Sequence, residues 1–301
     1  MTSRVLVPWS DLGELPAGLR VEVYDGVSAP PADLSDVEFY VLPYDQGVEP
    51  VKLMSRMPAL RAVQTLSAGV DTILPFLPDG VPLANGAGLH DLSVAEHALA
   101  LILAAQRDLP RWFRQQGEGS WAREHTRSLA DSRVLVLGYG SIGRAIGRFL
   151  HAAEATLVPV ARRARPDEGV HGVDELASLL PSVDILVSVL PGSESTRGLI
   201  GARELALLPD DALVVNVGRG ATMDTDALTA ETGTGRLRAA LDVLDPEPLP
   251  ADHPLWTTPG VVITPHVAGG SASFYPRAKA LIAAQLHRYA NGQPLAHQVA
   301  P

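Results

Sequence analysis

Three ionisable side chains in the last third of this 301-residue chain each follow a short apolar run, and each has an unusual backbone setting. The run over 213–217 leads into Gly218-Arg219-Gly220. An arginine between glycines is sterically unobstructed, and its planar fork suits a carboxylate gripped at two points. The run over 237–241 leads into Asp242-Val243-Leu244-Asp245-Pro246-Glu247-Pro248, where two prolines restrict the backbone that carries the Glu247 carboxylate. The run over 261–264 leads into Pro265-His266-Val267-Ala268-Gly269, and an imidazole can take up and release a proton near neutral pH. Taken singly, each has a plainer alternative: a surface arginine on a turn, an ordinary acidic loop, a structural histidine.

A fourth stretch points to a phosphate-bearing ligand. Val134-Leu135-Val136-Leu137 is fit for a buried strand and ends abruptly in Gly138-Tyr139-Gly140-Ser141-Ile142-Gly143. Helical spacing follows at once, with Ile142, Ala145, Ile146, Phe149 and Leu150 three and four apart. Gly138 permits the tight turn, Gly140 lets a pyrophosphate approach the backbone, and Gly143 lets helix pack closely on strand. The helix N-terminus presents unpaired N–H groups and a partial positive charge to the phosphates. A glycine turn used only for packing is the bland alternative. Strand before and helix after favour a dinucleotide, in a Rossmann unit that starts mid-chain.

The elements that must position these residues read as two α/β bodies, and the chain is long enough for two cores. The first 90 residues give strands over 5–7, 21–24, 37–42, 62–66 and 81–84, spaced for parallel pairing. From Asp91 the pattern becomes a helix carrying Val94, Ala95, Ala98, Leu99, Leu101, Ile102 and Leu103, with Asp91 or Ser93 as its cap. It is apolar on most sides, hence buried within the chain or against a second subunit. The polar stretch 115–128, punctuated by Trp112 and Trp121, reads as a surface connection. Beyond the glycine turn, strands over 156–160, 184–190, 213–217, 237–241 and 261–264 alternate with helices over 174–180, 201–208 and 222–231. A last helix covers 274–289. This is a doubly wound parallel sheet with ligand-contacting residues just past the C-terminal strand ends.

Composition excludes several classes. A formal charge of −10 argues against nucleic acid or an anionic membrane as a partner. No apolar run approaches a membrane span, and Val5-Leu6-Val7 follows the N-terminus with no secretory pattern, so the expected compartment is the cytoplasm. The absence of cysteine excludes disulfides, thiolate metal sites and cysteine nucleophiles. His90, His97, His125, His151, His171 and His253 have no metal-ligand spacing and read as structural or solvated, so no metal is expected.

Five motifs in order carry a resemblance. These are Ser67-Ala68-Gly69-Val70-Asp71, Val94-Ala95-Glu96-His97-Ala98-Leu99-Ala100, Val217-Gly218-Arg219-Gly220, Ala240-Leu241-Asp242-Val243 with Pro246-Glu247-Pro248-Leu249-Pro250, and Thr264-Pro265-His266-Val267-Ala268-Gly269. With them the chain resembles the D-isomer-specific 2-hydroxyacid dehydrogenases over nearly its whole length. The resemblance implies two Rossmann-like, doubly wound parallel-sheet domains with the active site in the cleft between them. A discontinuous substrate domain, 1–92 and 270–301, would wrap a cofactor domain over 93–269. Hinges would lie near 91–94 and 269–273, and a homodimer would form largely around the cofactor domain.

The resemblance also assigns roles. In reducing a 2-ketoacid, a nicotinamide would supply the hydride and His266 the proton. Arg219 would bind the carboxylate and polarise the carbonyl, with the backbone N–H groups around Ala68 and Gly69 on the other carboxylate oxygen. Glu247 would bond the far nitrogen of His266, fixing its tautomer and favouring its charged form. Asp242 would face the nicotinamide carboxamide, and Leu190 and Pro191 the adenosine half, with Thr196 nearby. Val217, Gly218, His266 and Ala268 complete the cofactor contacts beside the 138–143 turn. Tyr44, in Pro43-Tyr44-Asp45-Gln46, would line the substrate end, as a space-filler, a hydrogen-bond donor or a purely structural ring.

One position departs from the family's pattern. The strand over 156–160 should end in an acidic residue that holds the ribose hydroxyls of NAD. It ends instead in Ala161-Arg162-Arg163-Ala164-Arg165, a small residue followed by arginines, which suits a 2′-phosphate. The expectation is NADP, with NAD the alternative and a basic surface loop the bland reading. NADP together with the Asp242–Pro250 stretch, Asp-Val-x-x-Pro-Glu-Pro-Leu-Pro, resembles glyoxylate and hydroxypyruvate reductases. Two other functions compete: a nucleotide-sensing binding protein of the corepressor type, and a dehydrogenase of another small anion such as phosphite. Formate is disfavoured, because formate enzymes carry glutamine where Glu247 stands.

Overall fold

The computed structural model describes residues 2–300. The chain divides into two compact units, one of Met1–His90 with Ala272–Pro301, the other of Asp91–Ser271. In the first, β1 (Ser3–Val7), β2 (Leu19–Val23), β3 (Val37–Val41), β4 (Ala62–Gln64) and β5 (Leu83–Ala84) are parallel. In the second, β6 (Arg133–Leu137), β7 (Thr156–Ala161), β8 (His171–Gly172), β9 (Ile185–Ser188), β10 (Leu213–Asn216), β11 (Arg238–Leu241) and β12 (Val261–Ile263) form one parallel sheet in the order β12-β11-β10-β9-β6-β7-β8. The chain then returns to the first unit for the helix Phe274–Ala290 and for β13 (Gln298–Ala300), giving the order β13-β5-β4-β3-β1-β2.

Side-chain alternation explains why these runs are strands covered on both faces. In the second unit Val134, Val136, Ile185, Val187 and Val215 point to one core, while Leu135, Leu137, Leu186 and Val214 point to the other. In the first unit Leu6, Tyr40 and Val63 share one core. Val5, Val7, Phe39 and Val41 share the opposite one with Phe274, Ala278, Ile282 and Leu286, a stripe spaced every four residues along the helix.

The helix Asp91–Gln106 buries Val94, Ala95, Ala98, Leu101 and Ile102 against Ile146, Leu150 and the Val134 face of the sheet. Leu92 and Leu103 stay exposed. Three elements differ from the expectation. A helix over Leu109–Gly117 takes the start of the polar stretch. β8 and the antiparallel β13 are too short to carry a period, and both exist by pairing: β8 with the end of β7, β13 with β5. Gln285 secures the second pairing, donating to Gln64 Oε1 at 2.5 Å and to Ala296 O at 2.9 Å.

Candidate functional site

The chain order of the second sheet reverses between β6 and β9, the switch point at which open α/β sheets bind ligands beyond their strand ends. A cavity of about 530 Å³ lies there. Gly138, Tyr139, Gly140, Ser141, Ile142, Ala161, Arg162, Leu190, Pro191 and Thr196 line it, as do Arg165, Val173, Ser193 and Leu199. Gly143, Arg163, Val217, Gly218, Asp242, His266 and Ala268 lie outside that lining.

The turn is built for close approach. Gly138 has φ +105°, and a Cβ there would stand 2.7 Å from the Val189 carbonyl. At Gly140 a Cβ would meet nothing within 4 Å, so the backbone is open on the ligand side. The helix Ser141–Ala152 starts with no side-chain cap, leaving its first N–H groups for an anion. These features fit a dinucleotide pyrophosphate.

Ala161, buried at the end of β7, leaves no carboxylate for ribose hydroxyls. Arg162 and Arg165 both line the cavity. The chain folds back on itself through a bridge between Arg165 and Val170, so the third arginine of the run, not Arg163, joins the lining. Arg165 donates to Tyr139 O at 2.9 Å and pairs with Glu168 at 3.3 Å, and Glu168 in turn accepts from Arg144 at 2.8 Å. Those arginines hold the Glu168 carboxyl below its usual range, Arg144 chiefly through its hydrogen bond.

Arg219, Glu247 and His266 follow β10, β11 and β12, three successive neighbours in the sheet. Asn216, at the end of β10, accepts from Gly218 N and donates to Arg219 O, while Thr222 donates to the same carbonyl at 2.6 Å. The Arg219 backbone is thus held on both sides while its guanidinium is half-buried. Gly220 allows the next approach: a Cβ there would stand 1.7 Å from the Leu244 carbonyl. That contact sets the 242–248 loop against the arginine loop.

Glu247 accepts from Leu244 N at 2.9 Å through Oε1 and meets His266 Nδ1 at 2.7 Å through Oε2. The second oxygen can receive the Nδ1 proton, which leaves Nε2 as the ring nitrogen available to a ligand.

Asp242 directly follows β11. Its carboxylate is buried and accepts from Thr264 Oγ1 at 2.6 Å, Val267 N at 2.9 Å and Ala268 N at 2.9 Å, with His97 Nε2 at 3.3 Å. Burial alone would raise this carboxyl, but the bonds from His97, Thr264, Ala268 and Val267 outweigh it and bring it down to about 2.

In the first unit, Ala68 and Gly69 follow β4, and Asn85 Nδ2 donates to Ala68 O at 2.7 Å. The Tyr44 ring stacks on His90 and tilts against Phe274 at a 4.2 Å centroid distance, a packed setting that the sequence left open. Among the described residues no group of three or more His, Cys, Asp or Glu side chains is gathered as a metal would need, and no helix is long and apolar enough to cross a membrane.

Comparison with known proteins bears on this arrangement. Residues 99–268 match the family model described as D-isomer specific 2-hydroxyacid dehydrogenase, NAD binding domain. A glyoxylate/hydroxypyruvate reductase A of Photorhabdus laumondii is 32% identical over 232 residues, 73% of this chain and 74% of that protein. A D-3-phosphoglycerate dehydrogenase of Archaeoglobus fulgidus is 31% identical over 293 residues, 94% of this chain but 55% of that protein. Among solved structures, an NADPH-dependent glyoxylate/hydroxypyruvate reductase of Sinorhizobium meliloti, in complex with NADP and sulfate, aligns with a TM-score of 0.84 at 28% identity, covering 99% of this chain and 98% of that one. With the family model matched over more than half its length, this chain belongs to the D-isomer specific 2-hydroxyacid dehydrogenase family.

Proposed function

We propose that the chain reduces small 2-ketoacids of the glyoxylate and hydroxypyruvate type to D-2-hydroxyacids, with NADPH preferred to NADH. The observation that carries the cofactor choice is Ala161 at the end of β7 with Arg162 and Arg165 in the lining of the same cavity. When bound, the nicotinamide supplies the hydride. Arg219 grips the substrate carboxylate at two points and places the carbonyl. His266 gives its Nε2 proton to the carbonyl oxygen, while Glu247 on Nδ1 holds the orientation of the ring for that transfer. Ala68 and Gly69 are the backbone candidates for the second carboxylate oxygen, and Tyr44 acts by packing.

The relatives support this substrate class, since their names cover glyoxylate, hydroxypyruvate and phosphoglycerate chemistry, all at a 2-keto/2-hydroxy carbon. Two chains pair as a homodimer, a reading supported by the exposure of Phe113 at 64% and Trp121 at 88%, and by the exposed Leu92 and Leu103. Sedimentation showing only a 31.8 kDa species would refute the pairing. The enzymatic reading is tested by following NADPH oxidation with glyoxylate, hydroxypyruvate, pyruvate, phenylpyruvate and 2-ketoisocaproate. Turnover with the two smallest polar acids is expected; no turnover with any of them would overturn it.

A further inference from the structure

His266 adopts φ +53°, a left-handed backbone uncommon for a residue with a side chain, so its loop needs holding. Asp242 does the holding. Its backbone carbonyl accepts from His266 N at 2.8 Å, and its carboxylate accepts from the next two amides, Val267 N and Ala268 N. What secures Asp242 comes from a different element. His97, inside the helix Asp91–Gln106, places Nε2 at 2.9 Å from Thr264 Oγ1 and 3.3 Å from Asp242 Oδ1.

The directions of these bonds follow from the number of hydrogens. A threonine hydroxyl has one, and at 2.6 Å from a carboxylate, which only accepts, it points to Asp242. The threonine oxygen can then only accept from His97, so His97 Nε2 carries a proton. The relay runs one way, from the helix through Thr264 to the carboxylate.

We propose that His97 is a positioning residue for His266: by donating through Thr264 to Asp242 it completes the clamp on 264–268 and so aims the imidazole that carries the proton. The proposal rests on the reading of His266 as proton donor. It also gives Asp242 a task distinct from touching the cofactor, since its oxygens are committed to the loop.

Four variants test it: H97F and T264V remove the relay, while H97Q and T264S keep a donor at the same place. Expected for the first pair is a kcat about tenfold lower, from a loop no longer fully held, with KM for NADPH within about twofold. The cofactor cavity has none of these residues in its lining, which is why KM should stay. Hydrogen exchange at Val267 and Ala268 should be about tenfold faster in that pair, with exchange elsewhere in Asp91–Ser271 unaltered. H97Q and T264S should restore both readouts to within about threefold. An H97F protein with full kcat and unchanged exchange at 267 and 268 would overturn the proposal. So would faster exchange spread over the whole unit with no rescue by H97Q, the pattern of a merely structural residue. Exchange is read without substrate, so a protein inactive on every ketoacid would sink the dehydrogenase reading and leave the clamp to be decided by exchange alone.

Discussion

Replacing Arg162 and Arg165 with glutamine should collapse the preference for NADPH over NADH. A charge-assisted bond to a phosphate is worth about 1.5–3 kcal/mol when desolvated. Arg162 is exposed, and Arg165 is a third exposed and already shared with Glu168 and Tyr139 O, so about 1 kcal/mol each is a fair figure. Two such contacts give about 2 kcal/mol, or roughly 30-fold in kcat/KM. Either single variant should lose about fivefold, and the pair nearly all of it. Adding A161D restores a partner for ribose hydroxyls and repels a 2′-phosphate, so the triple variant should prefer NADH. Salt gives an independent check. The Debye length shrinks from about 10 Å at 0.1 M to about 3 Å at 1 M, so the NADPH preference of the unaltered protein should weaken across that range. The assay is a side-by-side titration of both cofactors at the two salt concentrations. Equal efficiency in the unaltered protein, or a ratio indifferent to R162Q and R165Q, would show that the arginines only decorate a surface loop.

Three further outcomes are expected. Arg219→Lys should lose one to two decades in kcat/KM, because an ammonium meets a carboxylate at one point where the guanidinium fork meets it at two; near-unaltered kinetics would remove Arg219 from the role of clamp. The Asp242 carboxyl lies at about 2 in the folded protein against an ordinary 3.8, so its ionised form stabilises the fold above about pH 4, and that contribution fades as pH falls through 2. Denaturation of the unaltered protein and of D242N, compared between pH 5 and pH 2, should show their stability gap shrinking by about 2 kcal/mol; a gap constant over that range would contradict the sign. Gly220→Ala must displace backbone, since its Cβ would stand 1.7 Å from the Leu244 carbonyl, and should cost about 1–3 kcal/mol together with activity; an unchanged melting temperature would show that the loop approach is looser than it stands.

Much of this molecule was legible in the sequence, because much of it is local. A strand that alternates or runs apolar, a glycine turn and an amphipathic helix follow one another within twenty residues at 134–150, and the backbone needs of that turn are met by residue type alone. The Arg219, Glu247 and His266 loops were legible for the same reason, each being the end of one apolar run. The His266–Glu247 bond was expected from resemblance, and the structure gives it a length and a nitrogen.

Other features were decided only in three dimensions. Arg165 and Arg163 are equivalent in sequence, and the bridge from Arg165 to Val170 determines which one lines the cavity. No feature of the sequence places the Tyr44 ring against His90 and against Phe274, the latter 230 residues away. β13 has no period of its own and becomes a strand because β5 offers an edge. In the sequence Asp242 is marked only by its place at a strand end. His97 and Thr264, from a helix 145 residues earlier and a strand end 22 residues later, turn its carboxylate into the anchor of a loop. Hydrogen-bond partners at such separations leave no period, spacing or composition to read, since each residue type is compatible with many partners and only the packed chain selects one.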